Sequence, residues 1–163
     1  MATREWLRIP QDQRDLIRKF QQSIPVKLSS LARELGLKVV ASTLPPGISG
    51  EIRPSMSGFT ISVNRHDGSK RQRFTVAHEI AHFLLHRDQI GDGITDDILY
   101  RSTLSDWREA EANRLAAEIL MPRQAINERA REMQGLEEEQ QVNNLATYFE
   151  VSDVAMKIRL GLP

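Results

Sequence analysis

The chain has 163 residues, 40% apolar and 27% charged, the balance of a globular domain long enough to bury a real core. It has no cysteine, which excludes disulfides and thiolate metal sites, so any bound metal must take nitrogen and oxygen ligands. Net charge is zero, yet residues 1–77 hold 13 Lys/Arg against 6 Asp/Glu and residues 78–163 hold 9 against 16; halves of opposite sign suit packing within one fold better than a nucleic-acid face.

The first residues, MATREWLRIPQ, lack the apolar stretch and small-residue cleavage pattern of a secretory signal. No apolar run approaches the length of a membrane span, so the expectation is a single cytoplasmic domain covering residues 1–163.

In chain order, Gln11 to Gln22 reads as a helix with Leu16, Ile17 and Phe20 on one side. KLSSLARELGL reads as a second, with Leu28, Leu31, Ala32 and Leu35 on a shared face and Gly36 as the stop. Leu37–Ser42 is a strand candidate, TLPPGISG is turn-rich, and EIR begins another short strand. Gly58–Asn64 alternates, with Phe59, Ile61 and Val63 to one face and Thr60, Ser62 and Asn64 to the other. A helix is predicted from Lys70 or Arg71 to about Arg87, then an irregular acidic stretch from Asp88 to about Ser105 that could gate a cleft. Asp106 to Leu120 is another helix, and Pro122 suits the first position of the next, which ends before Gly135. Val142, Leu145, Ala146 and Phe149 fall at helical spacing, and Ser152 can cap a last helix, Asp153 to Leu160. The pattern is α+β, mostly helical. The last two helices, within 139–160, have a helix-turn-helix pattern but no Lys/Arg cluster suited to a recognition helix, and are read as core-packing.

Three of the four histidines fall in FTVAHEIAHFLLH. His78 and His82 are i and i+4, so on a helix their imidazoles share one face and can bind one ion at about 2.0–2.1 Å each. Glu79, one residue past the first histidine, points off that ligand axis, where a general base for an activated water would stand. The competing account is a buried core helix that happens to carry histidines, since Phe74, Ala77, Ala81, Phe83, Leu84 and Leu85 surround the motif. A His-Glu-x-x-His set in a histidine-poor chain favours metal over that account.

A catalytic zinc needs a third protein ligand and an open position. In DWREAEANRLAAEILMP, Glu109 and Asn113 are i and i+4 on one face, whereas Glu111 lies about 200° around the helix from Glu109 and cannot join them. On this geometry Glu111→Ala should do little. If Glu109 binds the ion, Asn113 can accept the hydrogen bond from the far nitrogen of a ligating histidine. Spacing alone leaves Glu109 open between ligand and N-terminal capping with Asp106. His86 is the rival third ligand, but it lies about 12 Å along the helix from His78, and it is read as a helix-end residue facing the last carbonyls. His66 sits in a loop with no partner pattern.

RFTVAHEIAHFLLH followed by EAEANRLAAEILMP resembles the ImmA/IrrE family of metallo-endopeptidases, as do GISGEI, TISVN and LATYFEVSDVAMKIRL, so the likeness covers most of the chain. The resemblance implies a gluzincin-like, zincin-type fold: helices around a small, about three-stranded, antiparallel or mixed sheet, with the HExxH helix packed against a second ligand-bearing helix. It implies one zinc ion per chain, held by His78, His82 and Glu109, with Glu79 as base and Asn113 behind a histidine. It also implies a substrate: a helix-turn-helix (XRE-type) repressor encoded nearby, cleaved as activated water attacks the peptide carbonyl. Phe59, Thr60, Ile61, Ser62 and Val63 could supply an edge strand for an extended substrate, and Tyr100 and Arg101 are oxyanion or substrate candidates. The alternative is a non-catalytic or DNA-associated regulatory or toxin–antitoxin partner that keeps zinc for structure.

Overall fold

The alternating stretch Gly58–Asn64 is a strand, but it lies inside a sheet rather than on its edge. The computed structural model describes residues 2–97 and 106–163. In chain order these form α1 (Arg4–Leu7), α2 (Gln11–Phe20), α3 (Leu28–Glu34), β1 (Leu37–Ser42), β2 (Ile48–Ser55), β3 (Gly58–Asn64), α4 (Ser69–Leu85), β4 (Ile94–Asp97), α5 (Asp106–Leu120), α6 (Arg123–Arg131), α7 (Glu138–Phe149) and α8 (Asp153–Leu160), with a single 3-10 turn at Arg87–Gln89. The fold is α+β around a mixed four-stranded sheet.

The strand order is β1-β3-β2-β4. β1 runs parallel to β3, pairing Leu37 with Phe59 through Ser42 with Asn64. β2 returns antiparallel to β3 after a tight turn that pairs Ser55 with Gly58, and β4 pairs antiparallel with β2. With neighbours on both sides, the Phe59–Val63 main chain is already committed to the sheet. The expectation that it offers a substrate edge is therefore corrected: among the described residues the flanking strands are β1 and β4. That fourth strand exceeds the expected three and lies within the stretch expected to be irregular. ITDD gave no warning, because its strand character comes from pairing with β2 and not from its own side chains.

Helix α4 lies across one face of the sheet. Phe59 of β3 meets Phe83 of α4 edge-on with ring centroids 5.6 Å apart. Ile52, Ile61, Ala77, Ile80 and Ala81 are fully buried in this layer. Every residue from Thr75 to Phe83 is buried, so α4 is a core helix wrapped on all sides and not an amphipathic surface one. Close approach of α4 to β2 depends on Gly50, where a Cβ would clash with Thr75 Cγ2 and lie 3.1 Å from the Ser62 carbonyl oxygen. α5 packs along the other side of α4, placing Ala112, Leu115, Ala116 and Ile119 in the same apolar cluster. Val142, Leu145, Phe149 and Met156 of the last two helices, and Val151 between them, join that cluster. Ser152 caps α8 by accepting from the Ala155 N–H at 3.0 Å.

Helix α1, only four residues long, gave no sequence signal. It docks on α5 through polar pairs: Thr3 Oγ1 donates to Glu118, Arg114 donates to Glu5 at 2.7 and 3.0 Å, and Arg8 pairs with Glu111. Glu111, Arg114 and Glu118 follow i, i+3, i+7 spacing, one face of α5.

Candidate metal centre

His78 and His82 stand one turn apart on α4 with no solvent exposure. Both turn Nε2 towards the same point, and the two nitrogens are 3.1 Å apart. From the facing turn of α5, Glu109 brings Oε1 to 3.1 Å from His78 Nε2 and Oε2 to 3.0 Å from His82 Nε2. Glu109 is brought to both rings, while Asn113, four residues on, meets the first from behind. Asp96 of β4 adds Oδ2 at 3.6 Å from His78 Nε2 and 3.7 Å from His82 Nε2. One donor atom from each of these four buried residues lies within 4.8 Å of all the others.

This donor set fits a divalent cation. Tetrahedral bonds of about 2.0–2.1 Å hold neighbouring ligand atoms roughly 3.3 Å apart, close to the spacings among His78, His82 and Glu109. Without a cation the arrangement is costly, since Glu79, Asp96 and Glu109 put three carboxyl groups in one buried volume. Neither oxygen of Glu79 nor of Asp96 has a hydrogen-bond partner among the described residues.

The electrostatics point the same way. Burial alone would lower the His78 pKa, but Asp96 and Glu109 outweigh it and push it up to about 9, so the pocket strongly favours positive charge. Glu79 is pushed well above the ordinary carboxylate range, first by burial and then by the negative charges of Asp96, Glu109 and Glu51. Burial acts to raise Asp96 too, but its contacts with Glu79, His78 and His82 hold it far below its usual value.

Behind the rings the structure differs from expectation. Asn113 Oδ1 sits 2.8 Å from His78 Nδ1, as the i, i+4 spacing from Glu109 suggested. His86 is the C-cap of α4, but its ring does not face the helix carbonyls. It is buried, with Nδ1 3.0 Å from His82 Nδ1 and Nε2 2.9 Å from Glu111 Oε1. Glu111 does point away from the cluster, yet it is connected to it through His86. The rotation that takes Glu111 off the Glu109 face, as expected, turns it towards the end of α4, where it meets His86. His66 is exposed in the loop between β3 and α4. Tyr100 and Arg101 lie outside the described residues.

Asp96 was missed from sequence. The one available signal was its position two residues after Ile94, which puts both on the inward face of a strand.

A family model described as the IrrE N-terminal-like domain, a peptidase family, matches residues 27–161. The chain belongs to this family. A search of curated proteins gave no match. Among solved structures, a Mycobacterium tuberculosis transcriptional regulator is similar with a TM-score of 0.62 and 19% identity, over 94% of this chain and 48% of that one. At that identity the likeness is one of fold, and this chain spans about half the length of that protein. The IrrE N-terminal-like match takes in α3 to α8 and all four donors, and leaves α1 and α2 outside it. No helix among the described residues is long and apolar enough to cross a membrane.

Proposed function

We propose that the chain is a zinc-dependent endopeptidase acting on a protein substrate, a helix-turn-helix (XRE-type) repressor. The observation that carries this reading is the convergence of His78 Nε2, His82 Nε2 and the Glu109 carboxylate at 3.0–3.1 Å, with buried Glu79 on the same helix as the histidines. Membership of a peptidase family supports hydrolysis as the reaction. The substrate class rests on the resemblance of the sequence blocks, and a fold relative titled a transcriptional regulator is consistent with a regulatory setting.

In this reading His78, His82 and Glu109 hold the ion. Zinc, when bound, supplies Lewis acidity that lowers the pKa of a water to about 7 and polarises a peptide carbonyl. Glu79 takes the proton of the attacking water on a carboxylate oxygen and passes it to the leaving amine nitrogen. Burial and the surrounding carboxylates raise its pKa, which strengthens it as a base. Asn113 keeps His78 in the tautomer whose Nε2 lone pair faces the ion. β4, at the end of the sheet and carrying Asp96, is the strand beside which an extended substrate segment would lie.

The test is a purified cleavage assay with zinc-loaded protein and the repressor encoded next to its gene, read by intact mass. Wild type should give two complementary fragments. Glu79→Gln should keep one zinc per chain and give none. Cleavage by Glu79→Gln at the wild-type rate would overturn the reading.

One observation favours a second reading, a non-catalytic partner with a structural zinc. Asp96 could serve as a fourth protein ligand, and four protein ligands mark closed structural sites. Asp96→Ala separates the two readings. Loss of zinc from this variant, with no cleavage by wild type, supports the closed site; retained zinc and retained cleavage support the peptidase.

A further inference from the structure

We infer that Arg8, Glu111 and His86 form a directed hydrogen-bond chain that positions the His82 imidazole, making the short N-terminal helix α1 a working part of the metal centre although it lies outside the family-matched region. The inference rests on the proposed ligand set.

The direction of the chain follows from donor and acceptor inventory. With His82 Nε2 turned to the cluster, its lone pair is needed there and its proton sits on Nδ1. That N–H donates to His86 Nδ1 at 3.0 Å, which must then be an unprotonated acceptor. The proton of His86 is therefore on Nε2, where it donates to Glu111 Oε1 at 2.9 Å. The other oxygen, Oε2, accepts from Arg8. Each link has one donor and one acceptor, so each ring is held in a single tautomer. The chain crosses from a fully buried ring to a half-exposed guanidinium, with Arg8 46% and Glu111 11% side-chain exposure.

His82 thereby differs from His78, whose far nitrogen is held within the family-matched region by Asn113. For His82 the last anchor is Arg8, the C-cap of α1. Docking of α1 does not itself require Arg8, because Thr3–Glu118 and Glu5–Arg114 already tie the segment to α5. The Thr3–Glu118 pair therefore serves as an internal control: it belongs to the same interface, but Glu118 lies two turns along α5 from Glu111 and the pair does not lead to a metal ligand.

The experiment measures zinc affinity by competition with a chromophoric chelator, alongside the melting temperature of each zinc-free protein. Removing such an outer partner of a ligating histidine weakens metal binding by about 10–100-fold. Glu111→Ala should fall in that range, and Glu111→Gln, which keeps an oxygen acceptor for His86, should recover part of the loss. Arg8→Gln, at an exposed position, should weaken zinc several-fold with little change in zinc-free melting temperature. Thr3→Ala should lower the melting temperature while leaving zinc affinity within about two-fold of wild type. Wild-type affinity in both Glu111→Ala and Arg8→Gln would overturn the inference and leave the ligand set standing. Equal loss of affinity in Thr3→Ala and Arg8→Gln would overturn it too, by showing that α1 acts through general docking. A wild-type protein that takes up no zinc would overturn the ligand set and this inference together.

Discussion

Asn113 Oδ1 lies 2.8 Å from His78 Nδ1, so an amide four residues from one proposed ligand orients another on a different helix. Asn113→Ala should weaken zinc binding by about 10–100-fold, because the ring loses the acceptor that holds its tautomer and orientation. Asn113→Asp keeps an acceptor and adds negative charge, and should bind zinc at least as tightly as wild type. Chelator competition on the two variants checks both, and an alanine variant with wild-type affinity would show that packing alone orients His78.

Metal removal should be visible in stability. A ligand held at 100 times its dissociation constant stabilises the folded state by about 2.7 kcal/mol, roughly 5–10 °C of melting temperature for a domain of this size. Stripping zinc with a chelator should lower the melting temperature by that order, and zinc should restore it. His78→Ala, His82→Ala and Glu109→Ala should melt at the same temperature with and without added zinc. A zinc-responsive Glu109→Ala would remove it from the ligand set.

Gly50 lets β2 approach α4. A Cβ there would clash with Thr75 Cγ2 and crowd the Ser62 carbonyl oxygen, both held by regular structure. Gly50→Ala should destabilise the protein by about 1–3 kcal/mol, the usual cost of overpacking a core. It should also disturb zinc binding, because the helix pushed away is the one that carries His78, Glu79 and His82. Urea titration gives the first effect and chelator competition the second.

Glu5 gives a pH signature remote from the cluster. Burial would raise its pKa, but the hydrogen bonds and charge of Arg114 outweigh burial and hold it below the ordinary carboxylate value of 4.5. A depressed folded-state pKa contributes stability that is complete above the unfolded-state pKa and is lost as pH falls through the folded one. Glu5→Gln should therefore cost about 1–2 kcal/mol at pH 7, with Arg114 half exposed and its charge partly screened. The difference from wild type should shrink as pH drops below about 4.5 and vanish once Glu5 is protonated in the folded protein. Denaturation curves for both proteins at neutral and acid pH test this. A gap that widens at low pH would contradict the sign.

Much of the local structure is legible along the chain. β1, β3, α5 and α8 fall at the bounds that alternation, helical spacing and the Ser152 cap indicate, because those signals act within a few residues. The pair His78 and His82, and the pair Glu109 and Asn113, are legible for the same reason: four residues is one helical turn wherever the helix lies. Glu109 was ambiguous in sequence only because a ligand and an N-terminal cap share the same position near the start of a helix.

Long-range placement is different in kind. Asp96 reaches the centre because a four-residue strand pairs with β2, more than forty residues earlier in the chain, and nothing in ITDD specifies that partner. The same pairing makes β4 a flank of the sheet and puts β3 inside it, although both strands obey one period of alternation. Arg8, Glu111 and His86 meet because three helices cross, and side-chain spacing on any one of them is silent about what the other two present. Local periodicity depends on bond geometry that each segment carries with it, and so the sequence determined the helices, the strands and the two-residue pairs. Which segments meet depends on burying apolar faces shared by the whole chain, and so only the tertiary structure decided the fourth donor, the sheet's edge and the path from His82 to the surface.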